Sequence, residues 1–229
     1  MIVSVHQPHY LPWLGYFDKI DRSDVFVVLD NVQYKKREYQ NRNRIRTAAG
    51  VRWLTVPVVT KGRYYQKTGE VEVDNEEDWR GTHLRTLELS YRRAPHFGPV
   101  FDGYAAALGA KEWTKLCELN VATTRFFMER LGIATPVRFE SELGAPGEKT
   151  ERIINICRAL GADVYLSGAG GAAYLDGAAF EAAGIELRYQ QFRHPRYPQV
   201  HGGFEPYMAA IDLLFNAGDE SMEIIRSGR

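Results

Sequence analysis

Two short, continuous apolar runs stand near the start of the chain: I-V-S-V at 2–5, and V-F-V-V-L between Asp24 and Asp30. Runs without period-two alternation predict strands buried on both faces. Between them Trp13, Tyr16, Phe17 and Ile20 recur at helical spacing, so 13–20 predicts a short helix. Strand, helix, strand is a βαβ unit with parallel strands. The same alternation returns late in the chain. Residues 150–160 predict a helix stopped by Gly161, and 163–167 a strand. After G-A-G-G, a second helix runs to Ala183, and 185–189 is another strand. A last helix covers 207–216.

The middle is different. Residues 32–46 are basic and amide-rich, and 52–59 and 70–73 predict strands flanking the turn at 60–69, an antiparallel arrangement. Helices follow at 78–91, at 101–108 beyond the break expected from Pro95 and Gly98-Pro99, and at 112–131. The stripe Trp113, Leu116, Cys117, Asn120, Thr124, Phe127, Leu131 marks the last of these. A strand is expected at 136–139. The pattern predicts an α/β protein. The two ends form a doubly wound, mainly parallel sheet, with a partly antiparallel insertion (32–75) and a helical segment (76–135) between them. We read 1–229 as one domain on this basis.

Composition narrows the classes. With 45% hydrophobic and 25% charged residues, the chain can bury a core without staples, and its net charge of +0 gives no global drive toward nucleic acid or membrane. Cys117 and Cys157 form no metal or redox motif, and no stretch approaches the roughly 20 apolar residues of a membrane span. The first apolar run ends at His6, too short for a secretory leader. The expectation is a cytoplasmic protein with no metal site. A homo-oligomer is compatible with the chain.

Four stretches carry chemistry. His6 and His9 leave the first strand at its carboxyl end, where ligands bind in such sheets, and imidazoles there can stabilise phosphoryl charge. They serve equally as loop packing. Tyr10 belongs to the same loop, while Trp13, Tyr16 and Phe17 read as core. The run Y-K-K-R-E-Y-Q-N-R-N-R supplies Lys35, Lys36, Arg42 and Arg44 for phosphate, with Gln40, Asn41 and Asn43 for two-sided hydrogen bonding. Its bland reading is a solvated face. Ser167, Gly168, Gly170 and Gly171 form a strand-to-helix turn suited to an anion, with Tyr174 and Asp176 beside it. The spacing departs from the dinucleotide-binding fingerprint. His194, Tyr197 and Gln199 lie in a proline-rich loop that could wall a substrate.

Together, H-Q-P-H-Y-L-P-W-L-G-Y-F-D-K-I (6–20), D-V-F-V-V-L-D-N-V-Q-Y-K-K-R-E-Y-Q-N-R-N-R-I (24–45), G-A-D-V-Y-L-S-G-A-G-G-A-A-Y-L-D (161–176), H-P-R-Y-P-Q (194–199) and I-D-L-L-F-N-A-G (211–218) make the chain resemble the WbqC-like family over nearly its whole length. The resemblance implies a link to bacterial O-antigen, surface-polysaccharide and amino-sugar pathways. The start of the chain also looks like pantothenate-synthetase-type and nucleotidylyltransferase folds, which implies a Rossmann-like sheet, ATP with Mg²⁺, and adenylate formation. Those enzymes carry glycine between the two histidines, where this chain has Pro8.

The function expected is therefore an enzyme of sugar-nucleotide or O-antigen biosynthesis. It would activate a small carboxylate such as glycine with ATP and join it to the amine of a nucleotide-linked amino sugar. His6 and His9 would stabilise phosphoryl charge, and His194, Tyr197 and Gln199 would contact the acceptor. The alternatives are an ATP-independent acyl- or nucleotidyltransferase and a non-catalytic nucleotide-sugar-binding protein. The partner is a small molecule or nucleotide sugar, and the neutral charge balance argues against nucleic acid.

Overall fold

A computed structural model describes residues 1–229. Its main sheet has five strands: β1 (Ile2–His6), β2 (Val25–Val28), and, after the β3 (Arg42–Thr47) and β4 (Gly50–Thr55) hairpin, β5 (Val137–Phe139), β6 (Val164–Ser167) and β7 (Glu186–Tyr189). Their spatial order is β5-β2-β1-β6-β7, and every neighbouring pair is parallel. The order reverses between β1 and β6, so the crevice of this sheet lies where His6 and Ser167 end their strands.

Alternation along the buried strands divides the core between two faces. Phe26 and Val28 join the larger core with α1 (Leu14–Asp21), α4 (Leu116–Arg130), α8 (Ala210–Ala217) and α9 (Ser221–Arg226). Val3, Val5 and Val27 pack on the other face with α6 (Lys149–Leu160) and α7 (Gly177–Ala182). The remaining helices are α2 (Trp79–Tyr91) and α3 (Phe97–Gly109) in the middle segment and the one-turn α5 (Glu140–Leu143) after β5. This is the doubly wound, Rossmann-like α/β arrangement the hydrophobic pattern predicts. No helix is long and apolar enough to cross a membrane.

The departures have local causes. Pro99 does not break the chain: it sits in the first turn of α3, where a missing N–H leaves no helical bond unmade. Residues 70–73 form no strand, only isolated bridges such as Glu72 with Lys115. The partner of the hairpin is instead the basic run itself, with Arg44 opposite Trp53. Its strand pattern is masked because the outward positions are arginines and one inward position is Asn43. The helix expected through Ala183 is two pieces, a 3₁₀ turn (Ala169–Ala173) and α7. Tyr207 lies outside α8 with φ +61°, and α9 follows where no further helix was expected.

Candidate functional site at the switch point

The loop after β1 brings its two imidazoles together: the His6 and His9 rings lie 4.6 Å apart, edge to face. Tyr16 of α1 packs against both, 5.0 Å from His6 and 5.4 Å from His9. His6 Nδ1 lies 2.9 Å from the carbonyl of Gln7, so its neutral ring donates there and turns Nε2 outward as an acceptor. Burial, then the positive charges of Lys19 and His9, hold the His6 pKa well below its usual value. Burial, then Lys19, brings His9 down to about 3. Both rings are neutral at physiological pH.

Beside them opens a cavity of about 220 Å³ between β1, α1 and the glycine turn after β6. His6, Trp13, Lys19, Gly168, Gly170 and Gln190 line it. Lys19 is the residue that sequence reasoning missed. It is only 2% exposed, donates to the carbonyl of Val5 at 3.2 Å, and makes no ion pair. The neighbouring Asp18 is already held by Gln190 at 2.6 Å and Arg229 at 2.7 Å. Burial alone lowers the Lys19 ammonium to about 7. A buried cation without a partner is costly in a folded protein. The signal was present in the sequence: Lys19 falls between Tyr16 and Ile20 on a helix whose apolar face must be buried.

Glycines shape the cavity. A side-chain carbon on Gly15 would stand 2.4 Å from the Trp13 ring, so the bare backbone lets the indole fold over α1 and form a wall. Lys19 Nζ would be 3.9 Å from a side-chain carbon on Gly168. Gly171 is different: a side-chain carbon there would lie 2.0 Å from Ser167 Oγ, so its smallness serves packing. Ser167 itself is buried, its hydroxyl on the carbonyl of Gly168 at 3.0 Å. Asp176 caps α7 by accepting from the N–H groups of Ala178 and Ala179, and Tyr174 points to solvent on another wall of the protein.

The amide-rich run does not face this cavity. Prolines 8 and 12 and the left-handed Leu11 (φ +47°) leave the histidine loop without a backbone ladder. Amides replace it. Gln40 donates to the side chain of Gln7 at 2.7 Å, and Asn43 donates to the Leu11 carbonyl at 2.6 Å. Asn120 of α4 donates to the carbonyls of Pro8 (3.3 Å) and Gln40 (2.7 Å). Asn41 donates to Val56 at 2.9 Å. These residues build the frame of the loop.

The cations of the same run are also placed apart from the cavity. Lys35 and Lys36 are exposed and outside its lining. Arg42 stacks on Trp53, 4.4 Å from the ring centre, and donates to the Arg37 carbonyl. Arg44 donates to the Tyr207 carbonyl at 3.1 Å. Tyr10 is fully buried, its hydroxyl shared with His83 (2.9 Å) and Tyr104 (3.0 Å). Tyr197 and Gln199 donate to the buried Asp212 at 2.8 and 3.0 Å, and Tyr91 adds a third bond at 2.6 Å. They hold α8 in place. Of His194, Tyr197 and Gln199 only His194 approaches the site, its ring parallel to Trp13 at 6.5 Å.

The donor set of the cavity is nitrogen, cationic or neutral, with no carboxylate in the lining. It suits an oxyanion such as a phosphate, whose charge Lys19 would match, while His6 Nε2, an acceptor, could take a proton from a hydroxyl or amine of the ligand.

A parallel sheet whose strand order reverses beside a cavity lined by Lys19 and His6 defines a Rossmann-like α/β protein with an open crevice at its switch point. The chain belongs to the WbqC-like protein family, whose model matches residues 7–224. An uncharacterized protein of Mycobacterium tuberculosis (strain ATCC 25618 / H37Rv), Rv1507c, is 38% identical over 225 residues, covering 98% of this chain and 97% of the relative. No solved structure matches.

Proposed function

We propose that the protein is a biosynthetic enzyme that handles a phosphate-bearing substrate at the switch-point cavity. In this reading it activates a small carboxylate, such as glycine, and passes the acyl group to the amine of a nucleotide-linked amino sugar. The carboxylate attacks the α-phosphorus of ATP, pyrophosphate leaves, and the amine then displaces AMP to form the amide. The single observation that carries it is Lys19, buried without a counter-ion beside His6 and His9 at the carboxyl ends of β1 and β6. A bound oxyanion supplies the missing charge. The link to surface-polysaccharide and amino-sugar pathways that the family resemblance implies supports the substrate class.

The test is pyrophosphate release from ATP–Mg²⁺ with a panel of carboxylates and amino-sugar nucleotides. Turnover that Lys19→Met abolishes is the expected result. Silence across the panel, with no ATP binding by calorimetry, overturns it.

One observation favours a second reading. At about 220 Å³ the cavity is smaller than the roughly 300–1,000 Å³ of typical small-molecule sites. It fits the phosphate or acyl end of a donor better than a whole nucleotide. An ATP-independent transferase using an already activated donor would be stabilised in thermal-shift assays by that donor or a sugar nucleotide, and not by ATP–Mg²⁺.

A further inference from the structure

A second and larger cavity, about 450 Å³, opens at the carboxyl end of β2 on the opposite face of the sheet. Its wall includes Asn31, Tyr65, Lys67, Lys149, Arg152 and Tyr174. Three of these are cations, against one acidic side chain in the wall, the exposed Glu148. Lys67 donates to the Asn31 side chain at 2.6 Å and makes no ion pair, and Lys149 makes none either. Arg152 is matched by the buried Glu140 at 3.3 Å and also donates to the Asn31 carbonyl at 2.8 Å.

The placement of these cations runs against helix stability. Lys149 and Arg152 stand in the opening turn of α6, where the helix already carries partial positive charge and cations are disfavoured. No side chain caps this end. The aromatic part of the wall is equally unspent: Tyr65 is 82% exposed and Tyr174 61% exposed. Two lysines outside any ion pair and two largely exposed tyrosines, gathered on one cavity wall, are what an anion attached to a ring requires.

The two cavities share their borders. Leu29, in the wall of the second, donates its N–H to the carbonyl of His6 at 2.8 Å. The turn whose start (Gly168, Gly170) lines the first cavity ends at Tyr174 in the second. We propose that the larger cavity is the site of the second substrate, a small ring-bearing molecule with a phosphate or carboxylate group. Lys67, Lys149 and the opening turn of α6 take the charged group, and Tyr65 and Tyr174 take the ring. Its description as a second substrate, though not the binding itself, rests on reading the switch-point cavity as the reaction site.

The experiment is isothermal titration calorimetry on the full chain with UMP, uridine, benzoate and inorganic phosphate. UMP or benzoate should bind, and their ranking separates phosphate from carboxylate. Uridine, which lacks the anion, and inorganic phosphate, which lacks the ring, should each bind at least tenfold more weakly. The exposed pair Lys67→Ala/Lys149→Ala should weaken UMP or benzoate at least tenfold, and Tyr174→Ala severalfold. Lys19→Met should leave that affinity within twofold. No binding of either ligand by the full chain overturns the proposal. So does binding that the lysine pair leaves unchanged, or that Lys19→Met alone removes. Lysine-dependent binding with no pyrophosphate release would uphold this site and count against the proposed reaction alone.

Discussion

The Lys19 ammonium rests on the carbonyl oxygen of Val5 at 3.2 Å, one residue before the histidine that ends β1. A single neutral acceptor is its whole complement of partners, and this imbalance sets the first expectation. Burial brings the folded pKa of Lys19 down to about 7, against its ordinary 10.5. The folded state therefore disfavours the charged form, and the cost is fully present below pH 7. It is relieved as pH rises from about 7 toward 10.5. Lys19→Met should stabilise the protein by a few kcal/mol at pH 6, raising Tm by roughly 2–4 °C per kcal/mol. The gain should shrink at pH 9.5. Calorimetry at both values checks it, and a variant less stable at pH 6 contradicts the picture.

Binding of an oxyanion has the opposite sign. The anion favours protonated Lys19, so affinity for sulfate, whose own charge is constant in this range, should be greatest below about pH 7 and fall above it. With His9 at about 3 and His6 also lowered, neither ring adds a step between pH 7 and 9. Titrations in buffers of different ionisation enthalpy should show proton uptake on binding near pH 8. An affinity flat from pH 6 to 9 rules this out.

Asn43→Ala should cost about 1–3 kcal/mol in urea unfolding, because the buried carbonyl of Leu11 loses its donor. The expected functional change is indirect, a looser histidine loop. A stability loss below 0.5 kcal/mol would show that the carbonyl finds another partner.

Gly15→Ala forces the Trp13 ring away from α1, since the added carbon would stand 2.4 Å from it. The variant should be destabilised by about 1–3 kcal/mol and show altered tryptophan fluorescence. An unchanged spectrum would mean that the indole does not form the cavity wall.

Much of the sheet was legible in the sequence because β1, β2 and β6 are short, largely apolar runs and β7 alternates Glu186-Leu187-Arg188-Tyr189, and both patterns are local. The pairing of His6 with His9 was legible for the same reason. The role of the amides was not. Gln40 meets Gln7 and Asn120 meets Pro8 across long stretches of chain, and their type fits ligand binding as well as loop support. Tyr197 and Gln199 were misplaced because Asp212, the group they satisfy, sits on a later helix with nothing in its spacing to announce burial. Lys19 escaped because charge is ordinarily a sign of exposure, and only the packing of α1 against β1 shows otherwise.

The donation from Asn120 to the Pro8 carbonyl has a consequence for how this chain can be cut. Sequence reasoning makes 32–75 an insertion and 76–135 a helical segment between the two ends of the sheet. Yet Gln40, Asn43 and Asn120 all come from these stretches, and they hold the loop that sets two imidazoles 4.6 Å apart. A shortened chain joining β2 directly to β5 would keep every neighbour in the main sheet and lose the jig in which its histidines are set.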